Sequence, residues 1–259
     1  MGTATMRAIL SNELRVLRSN RALPVMLLGM PIIIIAMLRS TMGAALADVG
    51  INGRSGAEQV VPGQALLFGF FMVSFLANSF FREHGWATWD RLRTSRASRG
   101  DIFVGKTMPW VTTSAVQILA LLSLGFVLFD LPVPSISGIV AIVLTALVWA
   151  AFVGGFSLAV AARLSSMPAV SAVSNLGAMF FSAVGGALVP SGQLPGWASA
   201  LGPFTPTYWA MRSFNAIFID DGTLADAMPA VAVLAGFAVV CAAYAWFRFD
   251  FDRPKRSWV

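Results

Sequence analysis

The chain has 259 residues, 57% of them hydrophobic and only 12% charged, with a net charge of +6, one histidine and one cysteine. Soluble domains carry roughly 25% charged residues, so this composition and a mean hydropathy of +0.76 exclude an ordinary soluble enzyme and point to a membrane protein. The single Cys241 and the single His84 leave no disulfide framework and no Cys or His cluster for a metal or a triad.

The chain opens with a basic segment that lacks the apolar core and small-residue cleavage site of a signal peptide. Met6, Ile9, Leu10, Leu14 and Leu17 recur at helical spacing, and Arg7, Ser11, Arg15 and Arg18 occupy the other side. This pattern predicts an amphipathic interfacial helix over 1–22, with Arg7, Leu10, Leu14 and Arg15 at the membrane surface. The plainer alternative is a basic signal that only orients the first span.

Six apolar runs follow, each near the roughly 20 residues that cross a bilayer as a helix. They are Leu23–Leu38 (extending towards Ala47), Val60–Phe81, Thr107–Phe129, Ile136–Ala162, Met167–Val189 and Ala227–Phe247. None of the last five contains an ionisable Lys, Arg, Asp, Glu or His. Charge alternates between the runs. Arg7, Arg15, Arg18 and Arg21 precede the first, and Arg82, Arg91, Arg93, Arg96, Arg99 and Lys106 separate the second from the third. Arg163 follows the fourth, and Arg248, Arg253, Lys255 and Arg256 follow the sixth. Only Arg39, Arg54 and Arg212 fall on the other side. The positive-inside rule therefore predicts cytoplasmic termini and six spans in the cell membrane. The fold expected is all-α, a single membrane domain over 1–259.

Within the basic segment 82–106, GDIFVGKT fits the phosphate-loop pattern G-x-x-x-x-G-K-[ST]. Its context is wrong. TSRASR upstream is no buried strand, bulky Ile102, Phe103 and Val104 fill the variable positions, and an apolar span follows. The match is accidental, and the chain is not expected to bind ATP itself. The same segment places Trp86, Trp89 and Leu92 at helical spacing against six basic and three acidic residues. It is suited either to docking a protein or to resting in solvent with its tryptophans at the headgroups. After the fifth run, Pro190, Pro195, Pro203 and Pro206 break 190–226 into apolar pieces too short to span, such as 197–204 and 208–219. These fit short re-entrant helices at the outer surface.

The order amphipathic helix, six spans, charged loop after the second and proline-broken hairpin before the sixth resembles the type-2 ABC transporter permeases, over essentially the whole chain. REHGWATWDRLRTSRASRGDIFVGK is similar to the family loop E-x-x-G-T-x-x-x-L that ends in G-K. ALVPSGQLPGWASALGPFTPTYWAMR is similar to its P-x-x-x-L-P-x-W…P-x-x-Y segment. Arg96 stands where the family usually has proline, and the Gly-Thr pair is spread over Gly85, Ala87 and Thr88. The resemblance implies a transport subunit that is not itself an enzyme, paired with a second permease copy, identical or not. It also implies two copies of a separate ABC ATPase, which would bind ATP and Mg. Glu83, His84, Gly85, Asp90, Arg91, Leu92 and Arg93 would form the ATPase-coupling helix. Pro190, Pro195, Trp197, Pro206 and Tyr208 would shape the outer gate. The substrate path would run between spans two and five of the two copies, along Phe68, Phe71, Phe75 and Asn78 and along Asn175, Met179 and Ser182. The cargo implied is a hydrophobic or amphipathic, drug-like or lipid-like molecule exported across the cell membrane, with a lipid-linked polysaccharide as the alternative. Aromatic stripes of this kind also serve simply to face lipid or pack against neighbouring helices.

Other classes fare worse. An ion-coupled transporter needs ionisable groups at mid-membrane, and spans two to six carry none. An intramembrane serine protease needs a membrane-embedded histidine, whereas His84 lies in the basic loop. A membrane scaffold is compatible with the composition, and nothing calls for nucleic acid; lipids are the other partner. With Cys241 replaced, a cysteine at Ser191 should react with an impermeant maleimide on intact cells and one at Ser98 should not; the reverse pattern would invert the six-span map.

Overall fold

The computed structural model describes residues 2–20, 22–85, 89, 94 and 98–249. Among these the chain is helical without strands. Six helices are long and apolar enough to cross a membrane: Ala22–Asp48, Ala57–Glu83, Arg99–Leu128, Ile136–Arg163, Met167–Val184 and Leu224–Arg248. They coincide with the six apolar runs and are called spans one to six below. A helix over Gly2–Ser19 precedes them. Between spans five and six lie short helical pieces, including Ser191–Gln193, Gly196–Leu201 and Pro206–Phe218.

Two boundaries depart from the hydropathy pattern. Span three starts at Arg99 rather than Thr107 because Ser98 and Asp101 form a capping box. The Asp101 amide donates to Ser98 Oγ at 3.1 Å and the Ser98 amide donates to Asp101 Oδ2 at 3.0 Å. Reciprocal capping starts a helix in a charged stretch that no hydropathy window would include. Span five stops at Val184 rather than Val189. Gly186 takes a left-handed φ of 81°, and the Ala187 amide closes back on the Ser182 carbonyl at 2.9 Å, turning the chain into the proline-broken segment.

Lipid tails are as apolar as the side chains they would replace, so shape, not water exclusion, holds such helices together. Phe70 of span two is the centre of that packing. Its ring lies 5.6–6.1 Å from those of Trp149, Phe152 and Phe156 on span four and Phe181 on span five. Spans four and six meet at Gly155, where a Cβ would sit 3.1 Å from both the Ala238 carbonyl oxygen and the Ala242 nitrogen. Span two is itself in two pieces, Ala57–Phe70 and Met72–Gly85, joined through Phe71.

Polar contacts gather at the two ends of the bundle. At one end Arg54 binds Asp221 and the Ile219 carbonyl, Arg39 pairs with Asp130 at 3.4 Å, and Gln59 donates to the Gly186 carbonyl at 2.6 Å. The three basic residues that the charge pattern separates from the rest therefore share an end, since Arg212 stacks over Trp209 in the same segment at 5.5 Å. The other end, here the basic end, holds the N-terminal helix, the start of span three and the last turn of span six, with Trp246 5.8 Å from Phe103. Gly155→Leu should overpack the span four–six contact by about 1–3 kcal/mol and lower the thermal midpoint in detergent. Gly236→Leu, where a Cβ meets nothing within 4 Å, should leave it unchanged.

Candidate functional site: a buried ion-pair cluster at the basic end

Glu13 sits on the N-terminal helix at the position that continues the stripe Ile9–Leu17, and it is 1% exposed. Its carboxylate is held by three donors from two spans. Lys106 Nζ, also 1% exposed, donates to Oε1 at 2.6 Å. Trp110 Nε1 donates to Oε2 at 3.2 Å, and Arg82 approaches the same oxygen at 3.5 Å. Lys106 also donates to Glu83 Oε1 at 3.0 Å and lies 5.4 Å from the centre of the Phe80 ring. Among the described residues, two acids thus meet two bases.

The local sequence explains the arrangement. Lys106 and Trp110 are four apart on span three and so share a face, as do Phe80 and Glu83, three apart on span two. Gly105 lets the N-terminal helix come close, because a Cβ there would stand 2.9 Å from Ile9 Cγ2. A charge buried like this is tolerated only when paired and hydrogen-bonded.

The same geometry disposes of the phosphate-loop pattern. Residues 100–107 lie within the helix Arg99–Leu128, so their amides run along one axis and cannot converge on a phosphate, and Lys106 is committed to Glu13 and Glu83.

The other residues singled out by sequence fall as follows. Of the coupling residues, Glu83 is in the cluster; His84 and Gly85 are in the last turn of Met72–Gly85, their side chains outside the description. Asp90, Arg91, Leu92 and Arg93 lie outside the described residues. Trp89, read as suited to docking a protein or to resting at the headgroups, is 5% exposed and packs on Phe80 and Phe249, with ring centres 6.5 and 6.4 Å away. On the N-terminal helix, Ile9 and Leu17 pack against the core, whereas Arg7, Leu14 and Arg15 are exposed and Leu10 is half-buried.

Phe68 is buried edge-on to Phe71 at 5.5 Å, and Phe75 stacks on Trp110 at 6.0 Å, so this aromatic face is shared among helices of one chain. Asn78 Nδ2 donates to Ser74 Oγ at 3.3 Å and Ser171 Oγ at 3.5 Å, linking spans two and five. On span five Ser182 is buried, while Asn175 and Met179 are exposed beside Leu176 and Phe180. In the proline-broken segment, Pro195 and Pro206 begin Gly196–Leu201 and Pro206–Phe218, Pro190 is buried, and Trp197 is 63% exposed. Tyr208 lies edge-on to Trp209 at 5.3 Å.

Sequence reading passes over Glu13, although the signal is present: an acid set in line with Ile9 and Leu17 on an apolar stripe must find a buried cation. Glu13→Gln or Lys106→Gln alone should each cost about 3–5 kcal/mol in detergent stability. The double substitution should cost much less than the sum; additive losses would mean that the two groups act independently.

A family model described as ABC-2 type transporter matches residues 4–219, from the N-terminal helix through the proline-broken segment. Comparison with curated proteins found no match. The matched span contains every residue of the cluster and five of the six spans. The chain belongs to the ABC-2 type transporter family, as a multi-pass membrane component that partners an ABC ATPase.

Proposed function

We propose that the chain is the permease subunit of an ATP-driven exporter, acting as a pair of such subunits with two copies of a separate ATPase. The observation that carries this reading is the Glu13–Lys106–Glu83 cluster. It ties the N-terminal helix to both helices that flank the segment 86–97. A merely solvated loop needs no buried anchor at its base. A loop that receives force does, because a push on it then moves span two, span three and the N-terminal helix together.

On this reading residues 83–93 seat against the ATPase, the N-terminal helix lies along the cytoplasmic membrane surface, and both termini are cytoplasmic. ATP and Mg are held by the partner, where hydrolysis supplies the closure that this loop feels. The exposed face of span five, with Val173, Leu176, Met179 and Phe180 around the single amide of Asn175, supports a path for a hydrophobic or amphipathic, drug-like or lipid-like cargo between two permease copies.

Affinity purification of the full chain from its own membranes should co-enrich an ABC ATPase, and the chain alone should not hydrolyse ATP. The pair Asp90→Ala and Arg91→Ala should leave the permease folded yet weaken ATPase recovery by on the order of 1–3 kcal/mol, with hydrolysis in the complex falling in parallel. Undiminished recovery and hydrolysis in that variant would remove the coupling role from the loop.

A further inference from the structure

We infer that the groove between the N-terminal helix and span three is a binding site for an anionic phospholipid of the cytoplasmic leaflet. The inference rests on the reading above that places this helix at the cytoplasmic membrane surface. Two cavities meet along Leu10 and Leu14. One, of about 280 Å³, lies along the N-terminal helix alone and is lined by Arg7, Ser11, Arg15 and Arg18. The other, of about 370 Å³, runs down span three past Met108, Pro109, Thr112 and Val116. The first offers charge and the second offers an apolar wall, and they share one edge.

The groove follows from the cluster. Glu13, Lys106 and Trp110 draw the helix onto span three on one side, and Gly105 allows the close approach. Leu10 and Leu14 lie off that contact line, so they roof a gap above Met108 and Val116, which are 48% and 59% exposed. Met108 and Val116 are eight residues apart, about 12 Å along a helix, so the apolar wall extends inward as an acyl chain would.

Charge selects the headgroup. Glu13 is the only acidic residue before Asp48, and it is consumed inside the bundle. Among the described residues, Arg7, Arg15 and Arg18 make no ion pair. Free phosphate would use the arginines and leave the apolar wall unfilled. A zwitterionic lipid would fill the wall but gain little from three cations. A lipid with a net negative phosphate headgroup satisfies both halves of the groove.

The test uses the full chain purified in detergent without the ATPase, so its failure is separate from any failure of the coupling proposal. Dioleoyl phosphatidylglycerol, dioleoyl phosphatidylcholine and inorganic phosphate are each titrated, read by lipid retention in native mass spectrometry and by thermal midpoint. Phosphatidylglycerol should bind tightest and raise the midpoint most. Combining Arg7→Gln, Arg15→Gln and Arg18→Gln should weaken it by on the order of a hundredfold, at about fivefold per arginine. Val116→Trp, which fills the groove without touching charge, should also reduce retention, and Arg163→Gln, a basic residue elsewhere, should not. The inference is overturned if both lipids bind equally, if inorganic phosphate protects as well as phosphatidylglycerol, or if phosphatidylglycerol binding survives both the arginine and Val116→Trp substitutions.

Discussion

A carboxylate on a helix that precedes the membrane domain is buried against a lysine at the start of span three, and the basic end of the molecule is built around that pair. Glu13 and Lys106 are each 1% exposed and 2.6 Å apart, where water cannot repay the loss of either partner. Such a pair adds little net stability compared with a well-packed apolar contact, but losing one member is severe. Its value lies in position. Trp110 and Arg82 also donate to Glu13, and Lys106 also donates to Glu83, so the N-terminal helix is fixed to spans two and three by several polar contacts at once. That placement opens the groove along Leu10 and Leu14.

The opposite end is organised differently. Span two is divided at Phe71, and each half answers to its own end. The half Met72–Gly85 enters the ion-pair cluster through Arg82 and Glu83. The half Ala57–Phe70 is tied to the proline-broken segment by Gln59 and the Gly186 carbonyl, and Gly63 lies so close to the Ala187 carbonyl that no side chain fits. Between them Phe70 packs on spans four and five. Span two thus touches the cluster at one end, the central aromatic packing in the middle and the proline-broken segment at the other. A displacement at its basic end has a physical route to the proline-broken segment through packed side chains and hydrogen bonds.

Much of this was legible in the sequence. Runs of about 20 apolar residues can only be spans in a chain so poor in charge, and the segregation of Arg39, Arg54 and Arg212 anticipates the end they share. What hydropathy could not show is where polar residues pair. The start of span three at Arg99 depends on a capping box between Ser98 and Asp101, which counts as two polar residues in any apolar window. The five-residue stripe on the N-terminal helix reads as one apolar face, yet Glu13, omitted from it, is the residue that docks the helix, while Leu14 is left exposed. Trp89, spaced three from Trp86, reads as suited to docking a protein or to resting at the headgroups, and its burial against Phe80 and Phe249 follows from the chain returning after span six, a long-range contact invisible to local spacing. Phe75 lies in a stripe read as a transport path, but it stacks on Trp110, a partner 35 residues away.

If segment 86–97 receives force from an ATPase, as proposed, the N-terminal helix and span three move as one body. Gly105 is placed so that its Cβ would lie 3.0 Å from that of Ile9, near enough for Ile9→Cys and Gly105→Cys to form a disulfide after a small shift. In a variant lacking Cys241, ATP hydrolysis by the assembled complex should be the same with this cross-link closed as with it reduced. Loss of hydrolysis on oxidation, restored by reductant, would show that the two elements must separate during turnover and would contradict the account.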